Sequence, residues 1–185
     1  MQRFATSLAL VLLSVAIPLT GQRRDAPDIQ AVRLERRVFE LINTRRLDAN
    51  RSAMRWDDRL ARIARAHSDD MIKRHFFAHI NPDGDDPTAR GKHAGYACLK
   101  RVNRLTYRDG LAENLMEEPR YRRVRISGGQ RTFDWNTLED VARQSVEGWM
   151  RSPGHRGNIL EPAYDQTGVG VAVSAEHIYL TQLFC

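Results

Sequence analysis

Apolar side chains recur every three or four positions in three segments of the chain, and this spacing places them on one face of an α-helix. The first segment is 28–47, the second begins at Asp57 or Asp58, and the third begins at Asn136. Acidic residues suit the start of the second helix because they accept hydrogen bonds from free backbone N–H groups. The three stripes are Ala31, Leu34, Val38, Leu41 and Ile42; Leu60, Ala64, His67 and Met71; and Leu138, Val141, Ala142, Ser145 and Trp149.

The end of the chain has a period of two instead, which is typical of β-strands. The pattern predicts strands over 167–174 and 178–184, joined by a turn at 175–177. The first strand has one bulky face and one small face, so we expect a neighbouring element to pack closely over the small face. Because helices come first and an antiparallel sheet comes last, the fold class is α+β. The bulky residues are Val169, Val171 and Val173, and the small ones are Gly168, Gly170 and Ala172.

The middle of the chain has little helical periodicity. The stretch 75–95 is rich in Gly, Pro, Asp and His, and Pro87 suits the start of a short helix. Residues 110–117 contain a short apolar segment, and 120–135 is expected to form an irregular loop or a hairpin with two glycines at its tip. Asn136 and Glu139 have the spacing of a capping box. The third helix is expected to end at 152–154, where the sequence is Ser-Pro-Gly.

The start of the chain is predicted to direct export. Residues 1–21 have a basic start, an apolar stretch and small residues, as in a secretory signal peptide, with cleavage after Ala16 or near Gly21. Residues 22–27 then form a linker and 28–185 a single domain. An uncleaved anchor is the alternative, but the apolar stretch is short for a membrane-spanning helix, so we expect no stable transmembrane anchor. The predicted location is secreted or periplasmic.

The chain has two cysteines, Cys98 and Cys185. In an exported protein an even number of cysteines favours a disulfide, and two free thiols are the alternative. The net charge of +6 comes mostly from arginines. Many of them are scattered among acids, which predicts solvated helix faces, and the sequence lacks a nucleic-acid-binding motif, so we expect no nucleic-acid partner. The oligomeric state is not indicated.

Common catalytic and metal-binding signatures are missing from the sequence. Three titratable residues stand out because they lie beside loop-forming residues, where functional sites are often built. They are His79, Glu113 and His155. By contrast, His67 lies on the apolar stripe of the second helix and is expected to be a hydrogen-bonded core residue. Asn158 is expected to cap a helix or to bond locally.

Five segments resemble the bacterial SCP-like domain of the CAP superfamily, which groups cysteine-rich secretory proteins, antigen 5 and pathogenesis-related 1 proteins. The resemblance covers the chain after about residue 28 and implies a three-layer α-β-α sandwich with a central antiparallel sheet. It also implies a cleft where two histidines and two glutamates meet. The segments are AHSDDM at 66–71, FFAHINPDG at 76–84, AENL at 112–115, WMRSPGHRGNIL at 149–160, and GVGVAV at 168–173 followed by YLTQLF.

By position in these segments, His79 matches the first histidine, Glu113 the first glutamate and His155 the second histidine. Ser152 occupies the position of the second glutamate, so the chain keeps three of the four groups, and Asn114 is expected in the cleft wall. Two neutral imidazoles can ligate Zn²⁺ or another divalent metal, and a carboxylate can ligate it too or orient one ring. The same groups could instead serve as general acid and base, or only hold loops in place.

These observations favour an extracellular binding module over an enzyme. The ligand classes are a metal ion or a small apolar molecule, such as a lipid or sterol. One alternative is a metal-assisted hydrolase, such as a protease, that uses His79, Glu113 and His155 as catalytic candidates. Another is an interaction protein of the cell envelope that uses 120–135 as its contact surface.

Overall fold

The apolar stripes of the first and third predicted helices meet on one face of a β-sheet. The computed structural model describes residues 26–101 and 103–185. The predicted leader and most of the predicted linker lie outside the described residues. The helices are α1 (Ala31–Asp48), α2 (Asp58–Arg74), α3 (Pro87–His93), α4 (Leu138–Arg151) and α5 (Pro153–Leu160), and the strands are β1 (Arg55–Trp56), β2 (Leu99–Arg101), β3 (Tyr107–Asp109), β4 (Ala112–Pro119), β5 (Tyr121–Ser127), β6 (Gln130–Trp135), β7 (Gln166–Val173) and β8 (His177–Phe184).

The central sheet has the strand order β1-β7-β8-β4. Strands β7 and β8 form the antiparallel hairpin that the sequence predicts, and β4 pairs antiparallel with the other edge of β8. The two-residue strand β1 is the exception, because it pairs parallel with β7. The apolar segment at 110–117 therefore contributes a strand, and that strand carries Glu113.

Helices cover both faces of the sheet, so the three-layer arrangement is confirmed. On one face, α1 packs on α4 and on the bulky side of β7, where Val169 and Val171 are buried, and α4 packs against β4. On the other face, α2 packs against β7 and β8 and buries Leu60 and Ala64 beside Leu183. Among the described residues, no helix combines the length and the apolar character needed to cross a membrane.

The small face of β7 brings α2 close to the sheet, as the sequence predicts. A Cβ atom built on Gly168 would lie 2.1 Å from the backbone nitrogen of Ala61. One built on Gly170 would lie 2.0 Å from that of Arg65. Only glycine leaves room for such a close approach of helix to strand.

One predicted helix cap is wrong, and one helix is not predicted from the sequence. Asn136 does not cap α4; it is buried, and its side-chain amide donates to the carbonyl of Pro119. Thr137 is the N-cap instead, and it forms a reciprocal capping box with Asp140. The Ser-Pro-Gly sequence ends α4 as predicted, but Pro153 also starts α5, which the sequence analysis missed. Proline is favoured in the first turn of a helix because its missing N–H has no intrahelical partner there.

A disulfide joins Cys98 to Cys185, as predicted. It connects the segment before β2 to the residue after β8. Both cysteines are buried beside Tyr96 and Leu183 in the cluster beneath α2. The bond therefore ties the last residue of the chain to its middle.

Candidate functional site

A buried carboxylate forms the centre of the candidate site. Glu113 lies near the start of β4, opposite Leu183 of β8, and only 1% of its side chain is exposed. Burial of an ionised carboxylate is costly unless charged or hydrogen-bonding groups surround it. Its contacts therefore define the site.

Two side chains from separate parts of the chain bind this carboxylate. His79 Nδ1 lies 2.9 Å from Oε1 of Glu113, and Arg90 Nη2 donates to Oε2. The carboxylate is an acceptor, so Nδ1 of His79 carries the proton in this contact. In the neutral ring, Nε2 is then left with a free lone pair. About half of the His79 side chain is exposed, while only 10% of the Arg90 side chain is.

Arg90 also fixes the loop that carries His79. Its Nη1 donates to the carbonyl of His79 at 2.7 Å and to that of Asp85 at 2.9 Å. One guanidinium group from α3 thus holds both the loop backbone and the Glu113 carboxylate. This role is not predicted from the sequence, where the arginines are expected to be solvated charges. The only signal was the position of Arg90 in a short helix directly after the loop.

His67 is buried, as predicted, but it is not a fully hydrogen-bonded core residue. Its Nε2 lies 3.0 Å from the carbonyl of Ala78 and 4.0 Å from Oε1 of Glu113. Its Nδ1 is buried and has no hydrogen-bond partner among the described residues. Burial lowers the pKa of His67 below its ordinary value, against the opposing attraction of Glu113. The neutral ring therefore packs beside the carboxylate and supports the residue next to His79.

His155 enters the site from the first turn of α5. Its pKa lies below the ordinary value, first because the ring is half-buried and second because charge on His79 opposes its protonation. The two rings are therefore electrostatic neighbours. Asn114 holds this end of α5, since its amide donates to the carbonyl of His155 at 3.1 Å.

The backbone carbonyl of Asn158 accepts a local hydrogen bond from Glu161 at the end of α5, but its side chain bonds to a distant strand. Its amide donates to the carbonyl of Glu113 at 3.2 Å and to Oδ1 of Asn114 at 2.9 Å. These bonds connect α5 to β4 across more than 40 positions of sequence. Two asparagines thus set the position of His155 relative to Glu113.

Ser152, the residue at the fourth cleft position, joins α4 to α5. Its backbone N–H donates to Gly148 and Trp149, and its carbonyl accepts from Arg156. Within the described part of the chain, no hydrogen bond connects its side chain to His79, Glu113 or His155. The structure thus joins His79 and Glu113 directly and brings His155 near them, while Ser152 has a backbone role at the helix junction.

A hollow of about 470 Å³ lies between α2, α3 and the turn after His79, and His79, Glu113 and His155 are not among its lining residues. His67 and Arg90 line it, so two of the side chains around Glu113 also face this space. Across residues 26–101 and 103–185, no three His, Cys, Asp or Glu side chains are grouped to hold a metal ion.

Comparison with known proteins identifies a family whose sequence pattern this chain matches. The model of the CAP family, described as the cysteine-rich secretory protein family, matches residues 39–184. The chain is 31% identical over 140 residues to the uncharacterized protein YkwD of Bacillus subtilis, and this match covers 76% of the chain and 43% of YkwD. It spans less than half the length of the curated relatives it matches.

Solved structures share the fold at lower identity. An extracellular protein from Bacillus anthracis that contains an SCP domain is 24% identical, with a TM-score of 0.57 over 83% of this chain and 40% of that one. An outer surface protein from Borrelia burgdorferi is 18% identical, with a TM-score of 0.59 over 84% of this chain and 94% of that one. Its near-complete coverage shows that one such domain can form almost all of a chain.

Proposed function

We propose, because the chain belongs to the CAP family, that it is an extracytoplasmic binding module in which His79 and His155 hold a divalent transition metal. The observation that carries the proposal is the hydrogen bond from His79 Nδ1 to the buried carboxylate of Glu113. It points the free lone pair of Nε2 away from the carboxylate, on a side chain that is half exposed. Histidines that ligate metals commonly donate their other N–H to a carboxylate in this way.

His155 fits the second ligand position because it is neutral at physiological pH. A metal needs an unprotonated imidazole nitrogen, and burial lowers the pKa of His155. The hydrogen bonds of Asn114 and Asn158 fix the backbone that carries this ring. Two imidazoles suit Zn²⁺, and such a site leaves coordination positions open to water or to a ligand.

Glu113 fits the role of an orienting group rather than a ligand. Both of its oxygens are engaged, one by His79 and the other by the guanidinium of Arg90. The positive charge of Arg90 also opposes the approach of a cation to this carboxylate. A bound metal would supply Lewis acidity and would attract anionic groups of a small ligand.

An extracytoplasmic location agrees with this role. The Cys98–Cys185 disulfide persists in oxidising compartments, and the sequence predicts an export signal before the domain. The related SCP-domain structure from Bacillus anthracis is described as extracellular. We therefore place the module in the periplasm or outside the cell.

Calorimetric titration with Zn²⁺ tests the metal site. We expect His79→Gln and His155→Gln to abolish binding, and Glu113→Gln to weaken it about 10- to 100-fold, because the ring loses its orienting carboxylate. His177→Gln is the matched control, since His177 Nδ1 also lies 2.8 Å from a carboxylate, that of Glu117, on a partly exposed side chain. Zn²⁺ affinity that survives in both cleft variants, or that falls equally in the control, would contradict the proposal.

Metal-assisted hydrolysis is the second candidate. The hydrogen bond between His79 and Glu113 resembles the one by which a carboxylate orients an imidazole that acts as a general base. Assay of the Zn²⁺-loaded protein on peptide and ester libraries separates the two functions. Turnover that disappears in His79→Gln but persists in His177→Gln would favour an enzyme. Titration with fatty acids and sterols in the absence of metal tests the remaining ligand class.

A further inference from the structure

The hairpin formed by β5 and β6 is not used to build the core. None of its described side chains belongs to either buried apolar cluster. The hairpin leaves the body between β4 and α4 and turns at Gly128 and Gly129, which both have positive φ angles. Packing of the domain core therefore does not account for the side chains of this segment.

Its register distributes arginines over both faces. Arg125 pairs with Thr132, and Ile126 pairs with Arg131. Since side chains alternate between the faces of a strand, Arg123 and Arg125 share one face, and Arg131 lies on the other face beside Ile126. The tip is therefore surrounded by positive charge.

Arg125 and Arg131 lack the acidic neighbours that the sequence pattern predicts for arginines in general, while Arg123 lies across the strand pair from Asp134. The hairpin contains four arginines and a single acid, Asp134, which pairs with Arg122 at 3.4 Å. Arg123, Arg125 and Arg131 are exposed, and none has a carboxylate within 4.0 Å in the described part of the chain. On α1, by contrast, Arg37 is bound by Glu40 and Glu139.

The tip also exposes an apolar side chain. Ile126 is 70% exposed and lies two residues before the turn. Behind it, Phe133 stacks on Trp135 at 4.8 Å between ring centroids and meets Tyr121 at 5.2 Å. These rings stiffen the base of the hairpin, so the tip is held away from the body.

We propose that this hairpin docks tip first onto an anionic lipid bilayer. Ile126 enters the boundary between headgroups and acyl chains, and Arg125 and Arg131 contact lipid phosphates from opposite faces. Arg125 lies roughly 10 Å from the turn along the strand, and this distance fits the ~5–10 Å depth of interfacial insertion. A soluble polyanion would account for the arginines but not for the exposed isoleucine. The proposal is independent of the metal site.

Flotation of the full chain with lipid vesicles tests this docking. The readout is binding to vesicles of phosphatidylglycerol and phosphatidylcholine beyond that to phosphatidylcholine alone. It is compared between chains that all carry the same residues 1–27, so that any contribution of this segment is common to them. Each arginine near an anionic surface contributes about fivefold, so Arg123→Gln/Arg125→Gln/Arg131→Gln should weaken this binding about 100-fold. The urea unfolding midpoint should stay unchanged, because none of these side chains is in the core.

A second triple variant separates the hairpin from net charge. Arg33, Arg62 and Arg156 are also exposed arginines without a carboxylate partner among the described residues, and changing them to Gln removes the same charge elsewhere. This control should keep its preference for phosphatidylglycerol. Equal losses of vesicle binding in the two triple variants would overturn the proposal. So would a preference for phosphatidylglycerol that persists in Arg123→Gln/Arg125→Gln/Arg131→Gln.

Ile126→Ser separates insertion from surface attraction. We expect it to weaken vesicle binding while leaving binding to inorganic polyphosphate unchanged. Wild-type vesicle binding by Ile126→Ser would overturn tip insertion. Binding of the wild-type chain to polyphosphate but not to phosphatidylglycerol vesicles would overturn the choice of a bilayer as the partner.

Discussion

Gly170 of β7 lies directly beneath Arg65 of α2, with room for no side-chain atom between the strand and the helix backbone. At this distance the hydroxyl of Ser68 reaches the carbonyl of Gly170 at 3.0 Å and Thr181 at 2.9 Å. The next residue back on α2 is His67, which packs against Glu113. The glycine therefore sets the height of the helix over the sheet, and with it the position of one side chain of the candidate site.

Replacing this glycine should separate the helix from the strand. In Gly170→Ala the added methyl group meets helix backbone that no side-chain rotation can relieve. We expect a loss of about 3 kcal/mol or more in the free energy of unfolding, at or above the upper end of overpacking costs. Urea denaturation monitored by circular dichroism measures it.

Gly157→Ala provides the matched control, because a Cβ atom there meets nothing within 4 Å and the residue is helical. It should stabilise the protein by about 0.5–1 kcal/mol, since alanine loses less backbone entropy than glycine in a helix. Similar effects of the two substitutions would show that the close approach of α2 to β7 does not matter for stability.

Removing the charge of Arg90 should destabilise the fold through Glu113. Arg90→Met keeps most of the stem but leaves the buried carboxylate without its guanidinium partner. Loss of one partner of a buried ion pair costs about 3–5 kcal/mol. Because the remaining carboxylate causes the cost, Arg90→Met/Glu113→Gln should be more stable than Arg90→Met alone. A double variant no more stable than the single one would mean that only the loop contacts of Arg90 matter.

Arg74→Met is the comparison for a surface arginine. Arg74 binds Asp83 on an exposed part of the same loop. Exposed ion pairs contribute little to stability because water solvates the charges in either state. The change in the unfolding midpoint should therefore be far smaller than for Arg90→Met.

The sequence could predict the elements but not the partners within the site. The helical period of α2 and the alternation in β7 are local patterns, and even the close approach of a neighbouring element to Gly168 and Gly170 could be expected from them, although not that this element is α2. The contacts of Arg90 with Glu113 and of Asn158 with Asn114 join residues 23 and 44 positions apart. Periodicity carries no information on such pairs. Residue type alone does not distinguish an arginine that binds a buried carboxylate from one on a solvated helix face.

Local signals also competed at two boundaries. Asn136 and Glu139 have capping-box spacing, but so do Thr137 and Asp140, and burial of Asn136 against Pro119 decides for the second pair. At Pro153, the signal that ends one helix also begins the next. Tertiary packing thus decided between two locally acceptable caps at Asn136 and Thr137, whereas at Pro153 both local signals hold at once.

The disulfide should stabilise the protein mainly through the unfolded state. Cys98 and Cys185 are 87 positions apart, so the bond closes a long loop in the unfolded chain. In the folded protein, backbone hydrogen bonds from Asp165 and Gln166 still hold the carbonyl of Cys185 when the bond is absent. We expect Cys98→Ala/Cys185→Ala to keep the fold and to lose about 2–4 kcal/mol in urea denaturation. Equal unfolding midpoints for the variant and the wild type would contradict this.

Protonation of His67 should destabilise the protein in mild acid. Burial keeps its pKa below the ordinary value of 6.5, while the unfolded chain takes up the proton at about that value. As the pH falls below about 6.5, the histidine is therefore protonated in the unfolded state but still neutral in the native state. The free energy of unfolding decreases until the pH passes the native pKa.

Urea denaturation between neutral pH and pH about 5 should give a smaller decrease in the free energy of unfolding for His67→Gln than for the wild type. His93→Gln, at an exposed position, should keep the wild-type slope. If the His67→Gln slope equals that of the wild type, the acid sensitivity belongs to other groups, and the neutral ring beside Glu113 is not what links this site to the stability of the fold.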